Sequence, residues 1–166
     1  MSININTSRL LIRSIRLQET QAYGTINELR GSPQDWYADW ATWSNRGAIQ
    51  LFIILRGYYN PSSNAPSVAE GTVIGFIKIV GSRNEVSFRT HPSFRGQGTM
   101  KEALRATFTY FFQRWRNRQL YVETRNDNLA VVRMMQGFGL QGHRGEWSNV
   151  GSVWWSFGWA SWRYGH

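Results

Sequence analysis

The stretch from Phe94 to Leu104, FRGQGTMKEAL, sets two glycines and a basic residue against the start of an apolar repeat. Met100, Leu104, Thr107, Phe108, Phe111 and Trp115 continue that repeat at a period near 3.6, predicting a helix of about four to five turns from residue 99. Just upstream, EVSFRTH (85–91) reads as a strand, so the glycines fall at a strand-to-helix junction. There the first helical N–H groups lack acceptors and carry the positive end of the helix dipole. Glycines let a phosphate reach those donors with no Cβ in the way. The same pattern also serves as a plain turn. It is not a Walker loop, because no Gly-Lys-Ser/Thr follows, and it lacks the third glycine of a Rossmann fingerprint.

Working outward, TVIGFIKIV (72–80) is a second strand, joined to 85–91 by the turn Gly81-Ser82-Arg83-Asn84. IQLFIIL (49–55) is a short buried strand, and the polar segment 56–71 is a hairpin loop. Residues 3–14 read as a first strand and 17–30 as a helix stopped by Gly31. Ser32-Pro33 has the form of an N-cap followed by proline at the first helical position. Trp36, Trp40 and Trp43 then share one helical face, either as core or as an aromatic wall beside a substrate. Downstream come a strand QLYVETR (119–125), a helix over 127–136 closed by Gly137, and a further strand around 140–147. Val153, Trp155, Phe157 and Trp159 alternate as a late strand. With no internal repeat or domain break, the order predicts a mixed α/β architecture built around one sheet.

Composition narrows the function classes. A chain of 166 residues with 42% hydrophobic content fits one domain with a proper core, not a disordered tail. No run approaches the roughly 18 apolar residues of a membrane span. Arg9, Arg13 and Arg16 interrupt the N-terminal apolar residues, which argues against a signal peptide and for the cytoplasm, or the nucleus by diffusion. Cysteine is absent, excluding disulfides, thiolate metal sites and an acyl-cysteine intermediate. His91, His143 and His166 have no metal-ligand spacing, so no metal is expected. The net charge of +9 is spread along the chain, and only Arg114, Arg116 and Arg118 cluster, near the end of a predicted helix. The charge reads as a solvated basic surface or as the footprint of an anionic partner, a phosphorylated cofactor or RNA.

From Asn84 to Phe138 the chain resembles the GNAT family of acyl-CoA N-acyltransferases, in particular its RimJ/RimL-like branch. HPSFRGQGTMKEAL is similar to the family's strand–loop–helix signature, Arg/Gln-x-x-Gly-x-Gly/Ala followed by Glu-Ala. NDNLAVVRMMQGFGLQGH is similar to its second block, carried here by Asn126, Gly137, Phe138 and Gly142. The opening TSRLLIRSI resembles the branch's Thr-x-Arg-Leu-x-Leu-Arg start. The resemblance implies a single GNAT-like domain over 1–166. Its sheet would have about six to seven strands, mostly antiparallel and splayed at the middle, with helices on both faces. It also implies acetyl-CoA as co-substrate. The amides of Arg95, Gly96, Gln97, Gly98, Thr99 and Met100 would hold the coenzyme A diphosphate. The strand end at Phe88, Arg89 and Thr90 would bond the pantetheine and the oxyanion, and Asn126 would bond the pantetheine arm.

The implied reaction is direct attack by a neutral amine, needing a base for an ammonium of pKa roughly 8 to 10. Glu85 is the first candidate, matching a glutamate of the branch's strand, and Glu123 the second; each also reads as a solvated strand residue. Two departures bear on the acid: the branch's serine place holds Leu129, and the tyrosine place of other branches lies near Arg133. Tyr121 or Tyr164 could stand in, or coenzyme A could leave as thiolate. By strand alternation Trp155 and Trp159 share one face, and Trp154 and Trp162 the other; one set is core and one could line an acceptor pocket with Trp36 and Trp40. The acceptor would then be a small-molecule amine or a peptide α-amine, handled by a monomer or homodimer. The competing readings are a GNAT-like domain that binds a ligand without the reaction, and RNA or ribosome association, which lacks a nucleic-acid motif.

Overall fold

A computed structural model describes residues 2–16, 19, 32–56 and 71–165. Among the described residues, eight strands and four helices follow one another: β1 (Asn4–Asn6), β2 (Leu10–Ser14), α1 (Pro33–Asn45), β3 (Ile49–Leu55), β4 (Val73–Val80), β5 (Glu85–Thr90), α2 (Thr99–Arg114), β6 (Gln119–Arg125), α3 (Leu129–Gly137), β7 (His143–Gly145), β8 (Ser152–Gly158) and α4 (Trp159–Gly165). The strands form one open sheet in the order β1-β2-β3-β4-β5-β6-β8-β7. The pairs β1–β2, β2–β3, β6–β8 and β7–β8 are antiparallel. β5 and β6 run parallel, in register at Glu85 and Tyr121. A mixed α/β fold on a mostly antiparallel sheet is therefore what the sequence encodes.

Several boundaries differ from expectation for local reasons. The first strand is two, because Thr7 closes a tight hairpin: its amide donates to the Leu10 carbonyl at 2.9 Å, and its hydroxyl accepts from the Leu10 amide at 2.9 Å. That split takes the sheet to eight strands rather than six or seven. Helix α3 takes Gly137 as its last residue, and the chain turns away past the Phe138 cap at Gly139, which takes a left-handed φ of 75°. The alternating C-terminal strand stops at Gly158, opposite the first residue of β6, and the unforeseen α4 begins at Trp159. Trp155 and Trp159 therefore do not share a strand face. The expected helix over 17–30 and the loop over 56–71 lie largely outside the described residues.

Contacts divide the chain into two compact units. The first comprises residues up to Lys78 together with Phe88–Thr107. Its helix α1 starts as the sequence predicts, with Ser32 as N-cap, Pro33 in the first turn and a capping box closed by Asp35. Trp40 of α1 packs on a core of Ile15, Phe52, Ile54 and Phe76. On the opposite face of β4, a Cβ at Gly75 would stand 2.9 Å from the Arg89 carbonyl oxygen and 3.6 Å from Met100 Cε. Glycine is thus required where β5 and α2 close on β4, and β4 is covered on both faces.

The second unit comprises Ile79–Ser87 and the chain from Phe108 onward. The inward residues of β6 and β8, Leu120, Val122, Trp155 and Phe157, are all buried. Phe108 meets Phe138, Phe157 and Trp162 edge-on with centroids 5.2 to 6.0 Å apart, a geometry that aligns ring edges with ring faces. Trp162 is 1% exposed, and its indole N–H donates to Thr109 Oγ1 at 3.0 Å, so the polar tip of this ring is not stranded in the core.

Candidate active site

In the first unit the chain leaves β5, makes a short 3-10 turn at Pro92–Phe94, and reaches α2 through residues 95–98. Phe94 and Thr99 are buried and pin the two ends of this loop. Gly96 and Gly98 both take left-handed φ values, 76° and 74°, which other residues adopt only under strain. Among the described residues, nothing lies within 4 Å of a Cβ placed on Gly96, and only Arg9 Nη2, at 3.8 Å, near one on Gly98. The glycines are therefore not there to make room for the protein's own atoms; the space above them is open. The first turn closes with the Glu102 amide donating to the Gly98 carbonyl at 3.1 Å, so the earlier helical amides have no acceptor within the helix.

Arg9, in the bend just before β2, fastens this loop. Its Nε donates to Glu102 Oε2 at 2.6 Å and its Nη1 to the Gln97 carbonyl at 3.3 Å, while Ser8 Oγ donates to Glu102 Oε1 at 3.2 Å. Burial pushes the Glu102 carboxyl up, but hydrogen bonds from Thr7, Arg9 and Ser8 outweigh it and hold the group below its usual range. Arg9 is a site-supporting residue that motif reading did not single out, although it sits in the opening TSRLLIRSI block. Gln97 Oε1 is buried without a hydrogen-bond partner among the described residues.

The second unit carries the carboxylates. Tyr121 and Glu123 lie on the half-exposed face of β6, opposite the face that enters the core. Glu123 is held from both sides: Tyr121 Oη donates to Oε1 at 2.7 Å and Ser152 Oγ to Oε2 at 2.5 Å. Gly145 makes this possible, since a Cβ there would collide with Ser152 Oγ and stand 2.7 Å from Glu123 Oε2. Tyr121 is pushed up to about 12, first by burial and then by its hydrogen bond to Glu123. Arg83 lies 4.1 Å above the Tyr121 ring, Trp154 stacks on it, and His143 stacks on Trp154 at 4.5 Å. Glu85 is half-exposed and touches only Arg83, at 3.4 Å, among the contacts described.

The other expected site residues fall as follows. Phe88, Arg89 and Thr90 end β5, half-buried, and the Thr90 carbonyl accepts from Arg95 Nε at 3.3 Å. Asn126 is exposed just past β6, its amide donating to the Gly151 carbonyl at 3.0 Å. Leu129 is 55% exposed at the start of α3, and Arg133 is exposed further along it. Trp155 is 1% exposed, which corrects its placement on a pocket wall: it is an inward, buried residue of β8, with Gly142 close against its ring. Trp159 opens α4 with Arg116 5.0 Å above its ring. Trp40 serves the core of the first unit, and the Trp36 side chain lies outside the description. Sequence reading missed Ser152, Gly145 and Trp154 as parts of the Glu123 cluster, because only the β6–β8–β7 register brings them together.

The description of the acetyltransferase (GNAT) domain family matches residues 9–141. No curated protein sequence matches the chain significantly. Among solved structures, an acetyltransferase of the GNAT family from Bacillus anthracis superposes with a TM-score of 0.70 at 17% identity, covering 94% of this chain and 98% of its own. RimL, a ribosomal alpha-N-protein acetyltransferase, in complex with coenzyme A gives 0.75 at 14% identity, covering 94% and 98%. A ribosomal-protein-alanine acetyltransferase from Vibrio fischeri gives 0.72 at 11% identity, covering 96% and 98%.

Proposed function

The chain belongs to the GNAT acetyltransferase family, and from that premise we propose that it transfers an acetyl group from acetyl-CoA to the primary amine of a small molecule or a peptide N-terminus. The observation that carries this reading is the loop at Gly96–Gly98: two left-handed glycines with open space above them and helical amides without helical acceptors. That chemistry suits a diphosphate. Acetyl-CoA, when bound, supplies an acetyl carbon activated as a thioester. The amides of residues 96–100 would grip the diphosphate, with Arg95 beside them. The β5 end at Phe88–Thr90 and Asn126 are proposed to position the pantetheine arm.

For the amine, Glu85 is proposed as the base, acting through water, because one of its oxygens has no partner among the described residues. Both Glu123 oxygens instead already accept from hydroxyl donors. Glu123 is therefore assigned to orientation, with Ser152 fixing it. Tyr121, pushed up to about 12, parts with its proton less readily than a thiol does, so it serves as a fixed donor to Glu123 rather than as the acid for the departing sulfur. The thiolate then leaves unprotonated, in keeping with Leu129 at the place where the branch carries a serine.

A thiol-release assay over a panel of amines tests this. Acetyl-CoA-dependent thiol release with at least one amine is expected, and Glu85→Gln should lower kcat by about 10²- to 10⁴-fold. Tight acetyl-CoA binding without transfer to any amine would favour the ligand-binding reading, to which exposed Leu129 and Arg133 lend support.

A further inference from the structure

The second unit carries an open polar cavity of about 590 Å³ at its surface, lined by the turn at 81–84 with Arg118, Gln119 and Ser156, nearly all of them exposed. That volume falls in the range of small-molecule sites. The lining residues include no carboxylate and no apolar side chain. Its groups are also fixed in advance. Asn84, at a left-handed φ of 52°, donates from its side chain to the Gln119 carbonyl at 3.0 Å. Ser156 Oγ donates to Gln119 Oε1 at 2.9 Å, which leaves the Gln119 amide N–H₂ to donate elsewhere. Two guanidinium groups border the same space. Arg83 is steadied over the Tyr121 ring and shares only a 3.4 Å contact with Glu85. Arg118 rests over the Trp115 ring at 5.3 Å and pairs with no carboxylate among the described residues.

We propose that this cavity is a second anion site, separate from the loop at 95–98, which takes the phosphate of a phosphomonoester. Two guanidinium forks match a dianion with three free oxygens better than a single carboxylate. Ser82 and the Gln119 amide add neutral donors. The cavity exceeds the size of a bare phosphate, leaving room for the esterified group. A net charge of +9 raises the local concentration of such anions.

The test titrates inorganic phosphate, and separately glucose 6-phosphate, into isotopically labelled full-length protein saturated with coenzyme A, at about 0.15 M salt. Amide signals of Ser82, Arg83 and Asn84 and the Arg118 Nε signal should move saturably, more tightly for the ester. Arg118→Gln and Arg83→Gln should each weaken this binding by about tenfold while coenzyme A affinity stays unchanged. Three results would each overturn the proposal: linear, unsaturating shifts that both variants share, shifts confined to residues 95–100, or movement of these signals by an RNA oligonucleotide when neither phosphate moves them.

Discussion

The loop at Gly96–Gly98 in the first unit and the Glu123 carboxylate in the second present polar groups in opposite ways. At the loop the side chains are removed: left-handed glycines and first-turn amides without an acceptor in the helix make the recognition surface out of backbone. At Glu123 the side chains are crowded in: Tyr121, Ser152 and the space left by Gly145 clamp one carboxylate from two strands. Backbone recognition tolerates sequence change on every side except at the residues that set φ. A side-chain clamp depends on each member, because removing one partner leaves a partly buried acceptor unpaired.

Four measurements can break or sharpen this contrast. The largest effect is expected from Gly98→Glu, which puts a carboxylate and a strained φ of 74° into the diphosphate cradle. Acetyl-CoA affinity should fall by about 100-fold or more, with the melting transition retained. Should calorimetry show unchanged affinity, the backbone half of the comparison is lost. Gly145→Ala comes next. Its methyl must push Ser152 off Glu123, so activity should drop about tenfold or more, and Ser152→Ala should reproduce most of the loss in kcat with little change in KM for acetyl-CoA. A KM effect of equal size would mean that the clamp serves the loop instead.

Arg9→Gln should be milder. It removes the tie to Glu102 and Gln97 and should cost about 1 kcal/mol in denaturant unfolding, together with a modest rise in the KM for acetyl-CoA. The smallest effect is in the alkaline titration. With Tyr121 pushed up to about 12 in the folded state, the folded protein keeps a proton that the unfolded chain sheds above about pH 10. Stability should therefore decline as the pH rises through that window, and Tyr121→Phe should remove this decline. In the absorbance titration of tyrosinate, a phenol ionising near pH 12 should vanish with the same substitution.

How much of this was written in the sequence follows from the same contrast. The loop was legible because its chemistry is local: Gly96, Gly98 and the apolar repeat beginning at Met100 are neighbours in the chain, and α2 starts at Thr99 as the pattern implies. The strands over 49–55 and 119–125 were equally plain, since a short apolar or alternating run bounded by turns has few other uses. The clamp was only half legible. Tyr121 and Glu123 stand out on one strand, but Ser152 is 29 positions away from Glu123 and meets it only through the β6–β8 register. Trp159 misled for a related reason. Its alternation with Trp155 and Phe157 is a strand signal, yet β6 supplies no residue beyond Gln119 to pair with it.

A crystal structure with coenzyme A bound tests the central claim most directly. Diphosphate oxygens within about 3 Å of the backbone amides of residues 96–100 are the expected result. A nucleotide lodged elsewhere on the protein, or none at saturating concentration, would contradict the account.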